Sequence, residues 1–329
     1  MASSGNFSRT SNGGLSRRAV LSGLGFGLSA LASPAVIPAR AAGGAPELKT
    51  VAPGALTIAF NGDMPMSSLK EGQLIGADGE MVTAIARQLG LRIAPALMDW
   101  AATIESVRSG RADLVLGNVG WAPARTQVLL LTDAIYYTGK FTLMRLDVKI
   151  GDRVSIDDLK GRSVGTVGGF TIVPELKKVP GTSEVKLYDT SDACVRDVIA
   201  GRLDFAFLDA PTVGYMIKQN PNWGLKLVPA QPFPGYKLLG QKQNTILGMN
   251  PENPDLFDAV NAGVAWLWKT GLNGKYLKAN SMESDDYLIP IPAENNPRIG
   301  VDRDEKGGLL GKWAHQPKDF SIAFAATKT

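Results

Sequence analysis

Two polar residues close two copies of one pattern. Val107-Arg108-Ser109-Gly110-Arg111-Ala112-Asp113-Leu114-Val115-Leu116-Gly117-Asn118 recurs as Val198-Ile199-Ala200-Gly201-Arg202-Leu203-Asp204-Phe205-Ala206-Phe207-Leu208-Asp209. Each copy reads as the end of an amphipathic helix, a Gly-Arg-x-Asp turn and the apolar run of a buried parallel strand. Asn118 and Asp209 therefore stand at strand carboxyl ends, where open α/β sheets take their ligands. Two such halves predict two lobes closing on one ligand. Bond-making chemistry has little to work with. His315 is the only histidine and Cys194 the only cysteine, and they lie far apart in sequence, which is poor material for a Ser-His-Asp or Cys-His arrangement. No P-loop is present, and Gly168-Gly169 lacks the rest of a dinucleotide fingerprint, so no cofactor is expected. A single cysteine excludes an intramolecular disulfide and a cysteine metal cluster. Met64 and Met66, without a histidine or cysteine beside them, make a weak copper site, and no metal is expected.

The elements that must position these residues follow from the composition and the hydrophobic pattern. A chain of 329 residues, 44% hydrophobic, can supply two cores. The formal net charge of +4 arises in a leader: Arg9, Arg17, Arg18 and Arg40 account for it, and no acidic residue accompanies them there. The remainder is formally neutral, which gives no support for nucleic-acid binding. Ser16-Arg17-Arg18-Ala19-Val20-Leu21 precedes a Gly- and Ala-rich apolar stretch, and Ala39-Arg40-Ala41 has the small-x-small pattern of a cleavage site. This resembles a twin-arginine export signal. The apolar run is short and diluted for a membrane span.

From Ala55 strands and helices alternate. Leu56–Phe60 reads as a first strand; Met81, Ala84, Ile85 and Leu89 mark one helix face that Gly90 ends. Leu91, Ile93 and Leu97 alternate as a strand, and a helix through Ile104 and Val107 leads into the first repeat. A strand over Ser163–Val167 opens the second half. Extended stretches at Gly139–Leu146 and Gln243–Met249 are expected to join the lobes, with a helix over Asp255–Trp268 returning to the first.

At this point the residues resemble a family. Gly76-Ala77-Asp78, Ile85-Ala86-Arg87-Gln88-Leu89-Gly90-Leu91, Met98-Asp99-Trp100, Ser109-Gly110-Arg111-Ala112-Asp113 and Ala122-Pro123-Ala124-Arg125 look like the polar amino-acid-binding proteins of bacterial ABC importers. Asp158-Leu159-Lys160-Gly161, Val164-Gly165, Gly201-Arg202-Leu203-Asp204 and Asn250-Pro251 continue the match over roughly residues 55–280. The resemblance implies an α/β, type II periplasmic binding fold, with two lobes of mostly parallel sheet flanked by helices and joined by two hinge strands. On that reading, residues 1–41 are a signal peptide. Residues 42–142 and 246–280 form the first lobe, 143–245 the second, and 281–329 an extension with no assigned role.

The resemblance implies ligand-binding roles that chemistry supports. An α-amino acid needs a cation, an anion and neutral donors. Arg125 falls at the carboxylate-binding position, and its planar guanidinium can make two parallel charge-assisted hydrogen bonds. Asp209 falls at the ammonium-binding position. Thr171 and the amides after Gly168 and Gly169 would lie at a helix N-terminus, a natural anion site. Trp100 sits where relatives place an aromatic ring, and Trp121 follows the first strand end.

This chain also departs from the pattern. Asp63 and Met64 stand where an aromatic residue is usual, Gly120 where a hydroxyl is common, and Phe170 where a threonine is. Trp100 and Phe170 would enclose an apolar or planar side chain, and Asp63 would favour basic or aromatic amino acids over acidic ones. The partners implied are a small amino-acid-like ligand and an inner-membrane ABC permease complex, with the protein a soluble periplasmic monomer. A ligand-sensing receptor would use the same site. A cyclohexadienyl dehydratase-like enzyme is the sharper rival, but its Gly-Gly-Thr-Asn-Glu pattern is Gly168-Gly169-Phe170-Thr171-Ile172 here, and Ile172 cannot donate the proton. The leader generates a test. Replacing Arg17 and Arg18 by lysines should strand the precursor inside the cell, whereas normal processing of the double-lysine precursor would reject the twin-arginine assignment.

Overall fold

The computed structural model describes residues 48–325, so the leader with Arg17 and Arg18 lies outside the described residues. The first sheet begins with β1 (Ala55–Phe60). A small hairpin, β2 (Ser68–Lys70) and β3 (Gln73–Ile75), leads into α1 (Ala77–Gln88). Met81, Val82, Ile85 and Ala86 are fully buried at helical spacing, and Gly90 takes the left-handed conformation that ends the helix. β4 (Arg92–Leu97), α2 (Trp100–Arg108), β5 (Leu114–Val115), α3 (Pro123–Thr126) and β6 (Leu130–Leu131) follow. The predicted alternation over Leu91–Leu97 does form a strand. It is the edge strand β4, and Leu97 stays exposed.

β7 (Tyr136–Arg145) carries the chain into the second sheet. There lie β8 (Ser163–Val167), α4 (Val173–Leu176), β9 (Glu184–Tyr188), α5 (Ser191–Ile199), β10 (Phe205–Asp209), α6 (Ala210–Gln219) and β11 (Leu225–Pro229). β12 (Lys242–Thr245) returns, followed by β13 (Gly248–Met249), α7 (Pro254–Thr270) and α8 (Leu272–Ala279). β1 pairs in parallel with β4 and β5, and β8 in parallel with β9 and β10. The crossing strands add antiparallel partners, so each sheet is mixed: β13 lies between β5 and β6, and β7 between β10 and β11. The crossing lies earlier than the sequence suggested. β12 pairs with Tyr136–Gly139, while Phe141–Arg145 already belong to the second sheet.

The repeat has a physical reason. In its first copy the Asp113 carboxylate accepts the backbone N–H of Thr57 at 2.7 Å and of Val51 at 2.9 Å. In the second, Asp204 accepts the Ser163 N–H at 2.8 Å. Each aspartate thus pins the start of its own lobe's first strand to the end of a helix, which fixes the register. One apolar cluster fills the second sheet, includes the fully buried Cys194, and runs through Phe170 and Trp100 to Ala59 and Val115. The other packs α1, α7 and α8 on the first sheet.

The extension folds onto the first lobe. Phe320 and Phe324 are buried, and the Phe324 ring lies 5.5 Å from that of Trp266. Arg298 donates to the carbonyls of Thr132 (2.7 Å) and Leu131 (3.1 Å), and pairs with Asp302 at 2.6 Å. Arg303 adds bonds to the Leu131 carbonyl (2.7 Å) and to Asp133 (3.2 Å). Among the described residues, no helix is long and apolar enough to cross a membrane. The side chains of Arg298 and Asp302 are only 3% and 10% exposed. Arg298→Ala therefore takes the closest cation from a buried carboxylate and the donor from the Thr132 carbonyl, while the Leu131 carbonyl keeps Arg303. It should cost on the order of 3–5 kcal/mol of stability, read by chemical denaturation.

Candidate functional site

The floor of the cleft is built from Asp78, buried at the first turn of α1. Its carboxylate accepts the N–H groups of Gly117 (3.1 Å) and Asn118 (2.7 Å) and the Tyr136 hydroxyl (2.7 Å). Burial outweighs these bonds and lifts its pKa from 3.8 to about 6. Held in this way, Asn118 adopts a left-handed φ of 51°, costly for a residue with a side chain. Asn118 was expected to face the ligand. Its side-chain oxygen accepts from Thr138 (3.0 Å) and Thr245 (2.8 Å), one from each crossing strand, while its amide nitrogen is buried without a hydrogen-bond partner.

Seven predicted residues come together. Trp100 and Phe170 meet edge to face, with ring centroids 6.1 Å apart. The Arg125 guanidinium lies 5.4 Å from the centre of the Trp100 ring. It donates through one nitrogen to the Gly120 carbonyl and through the other to the Gly169 carbonyl of the second lobe at 3.1 Å. Gly169 has φ of 81°, and a Cβ there would stand 3.4 Å from Trp100, so the indole packs on bare backbone. Burial lowers the Arg125 pKa to about 10 against the pull of nearby Asp209. Asp209, only 6% exposed, ends β10 at the start of α6 and makes no side-chain capping bond to that helix. Asp63 accepts from the Ser191 hydroxyl at 3.0 Å across the cleft. Burial raises its pKa to about 6, Asp209 adding to the rise while the Ser191 and Asn61 hydrogen bonds oppose it.

Thr171 and Trp121 turn to other partners. Met64 is half-buried, and it is Met66 that reaches the second lobe, its sulfur 3.9 Å from the Thr212 hydroxyl. Thr171 does not cap a helix: α4 is a single turn, Val173–Leu176, that begins after Ile172. The Thr171 hydroxyl exchanges hydrogen bonds with Gln243 of β12 at 3.1–3.3 Å. Gln243 also explains Gly120, because a Cβ at 120 would run into its side-chain oxygen. The Trp121 indole N–H is spent on Asp302 at 3.0 Å. Trp121, Thr171 and Gln243 line a separate cavity of about 1150 Å³, which Lys242, Pro292 and Ile299 complete and to which Trp100, Arg125, Asp63 and Asp209 do not contribute.

Sequence reasoning missed Gln243, Ser191 and a pair of buried acceptors. Among the described residues, Asn61 Oδ1 and Ser67 Oγ are buried without a hydrogen-bond partner. Both flank Gly117 beside Trp100, where a built Cβ would lie 2.9 Å and 3.5 Å from them. The one available signal was Asn61-Gly62 closing the first strand.

A sequence profile of the bacterial extracellular solute-binding proteins, family 3, matches residues 56–279. The probable amino-acid-binding protein YxeM of Bacillus subtilis is 28% identical over 165 residues, which span 50% of this chain and 61% of that protein. The L-cystine-binding protein TcyJ of Escherichia coli is 25% identical over 66% of this chain and 79% of its own. An ancestral arginine-binding protein bound to arginine superposes with a TM-score of 0.61 at 25% identity, covering 69% of this chain and 98% of that one. A precursor of cyclohexadienyl dehydratase shares the fold, at 21% identity and a TM-score of 0.59. The two-lobed fold and the profile agree: the chain belongs to family 3 of the bacterial extracellular solute-binding proteins.

Proposed function

We propose that this chain is an exported binding protein that captures a small amino-acid-like ligand between its lobes and delivers it to an ABC importer. One observation carries the reading: a buried arginine spans the cleft from Gly120 to Gly169, stacked on Trp100 and within electrostatic range of Asp209. A ligand carboxylate suits Arg125. A ligand ammonium suits Asp209, and Asn61 Oδ1 and Ser67 Oγ are buried acceptors beside Gly117 and Trp100. Contacts from both lobes exist together only in the closed form, so the ligand shifts an open–closed equilibrium that a permease can read. The similar proteins are named as binding proteins for cystine, histidine or arginine, which supports the class. A catalytic role has no support here, because Ile172 is fully buried hydrocarbon where a dehydratase-like enzyme needs its acid. Export through the Arg17-Arg18 leader and action in the periplasm as a monomer belong to the same proposal.

Two measurements follow. Arg125→Ala leaves the ligand carboxylate without its partner in a dry cleft and should cost on the order of 3–5 kcal/mol of binding. Asp209→Asn should weaken an amino acid strongly and its deaminated analogue only slightly. Calorimetry showing equal losses for both ligands would make Asp209 structural.

The second measurement uses pH. An Asp63 pKa of about 6 in the closed form means that this form takes up a proton that an unfolded chain, near 3.8, has already released. Stability should therefore fall as pH rises from about 4 to about 6 and level off above that, more so in the wild type than in Asp63→Asn. Affinity for a cationic amino acid should run the other way, strengthening through the same window as Asp63 ionises. A pH-independent affinity equal to that of Asp63→Asn would remove Asp63 from the site.

A further inference from the structure

We propose that the C-terminal extension positions Arg125, with Asp302 and Trp313 acting as the two jaws of a clamp on the segment that carries it. This rests on the reading of Arg125 as a ligand-binding group. α3 is only four residues long, and one turn opened by Pro123 has no cooperative stability of its own. Its N-terminal flank, Ala122, offers no capping side chain. An arginine on so short a support needs outside anchors, because an error of about 1 Å in such a group can cost two orders of magnitude in a productive contact.

The anchors bracket Arg125 in sequence. Before it, Trp121 donates its indole N–H to Asp302 at 3.0 Å and its backbone N–H to the Asn244 carbonyl at 2.9 Å. After it, the Trp313 indole N–H donates to the Thr126 carbonyl at 2.9 Å, and Lys312 Nζ lies 3.3 Å from the Gln127 carbonyl. Three of these four bonds come from residues 302–313, beyond the stretch 56–279 that the family shares. The jaws are themselves stiff. Asp302 is buried, as is the Trp121 it holds, and Arg298 grips it through both carboxylate oxygens, at 3.2 and 2.6 Å; Trp313 is partly buried. Arg298 and Arg303 in turn rest on the carbonyls of Leu131 and Thr132, in and just after β6, close behind α3. The extension thus supplies from outside the rigidity that a longer helix would supply from within.

The test replaces both donors while keeping their rings, as Trp121→Phe, Trp313→Phe and the pair together in the full mature chain. Trp121→Phe takes one donor from Asp302, but both Arg298–Asp302 bonds and the Arg298 bonds to the Leu131 and Thr132 carbonyls stay, so the fold keeps its main anchor. Amide exchange over residues 122–127 should speed by about tenfold in the double variant, while α7 and β1 keep wild-type rates. With L-arginine as the probe, and L-histidine as a second, the double variant should bind roughly tenfold or more weakly. In an Arg125→Ala background the same two changes should add no further loss, because they act through that side chain. Losses that add fully to Arg125→Ala, or unchanged exchange over 122–127, would overturn the clamp. If the wild type takes neither amino acid, the proposed ligand class fails, and the exchange rates decide the clamp on their own.

Discussion

The cleft depends on one buried carboxylate. Asp78 collects two backbone N–H groups from the end of β5 and a hydroxyl from the start of β7. Three elements that also share one apolar cluster are thereby tied at one point: the first helix, the strand end that faces the cleft, and the crossing strand. Without that tie, Asn118 has no compensation for its left-handed backbone, and the threonines of the two crossing strands lose their common acceptor. The cost of burying a charge there is visible in its pKa, raised to about 6. Such an expense is tolerable because the carboxylate accepts three hydrogen bonds rather than standing alone.

The charge pattern above this floor is lopsided. Asp209 is the common neighbour: Asp63 and Asp78 both feel its charge as repulsion, and Arg125 feels it as attraction. The Ser191–Asp63 and Arg125–Gly169 bonds, one from each side, hold this cleft together across the lobes.

What was legible in the sequence was local or repeated. The α1 stripe, the β1 run and the paired Gly-Arg-x-Asp turns follow from periodicity and turn chemistry, and the folded chain uses them as read. Strand-end logic also put Asp209 at the end of a strand, where β10 has it. It failed for the direction of side chains. Asn118 turned to Thr138 and Thr245, and Trp121 to Asp302, because each found a buried partner far along the chain. No local pattern encodes a bond between residues 121 and 302. Thr171 misled for a different reason: its helix is one turn long and starts later, and a glutamine from a strand read only as hinge occupies its hydroxyl. The extension was silent because its order comes from long-range ion pairs rather than from amphipathic periodicity.

The lone cysteine carries a practical meaning. Cys194 is sealed in the second core, and burial pushes its thiol well above the usual range. The native surface is therefore silent to thiol reagents. A single cysteine introduced on either lobe becomes the one addressable atom of the molecule, and a pair, one per lobe, becomes a ruler. The opening and closing inferred here from static contacts can then be watched as a distance changing in time, against a background that does not react.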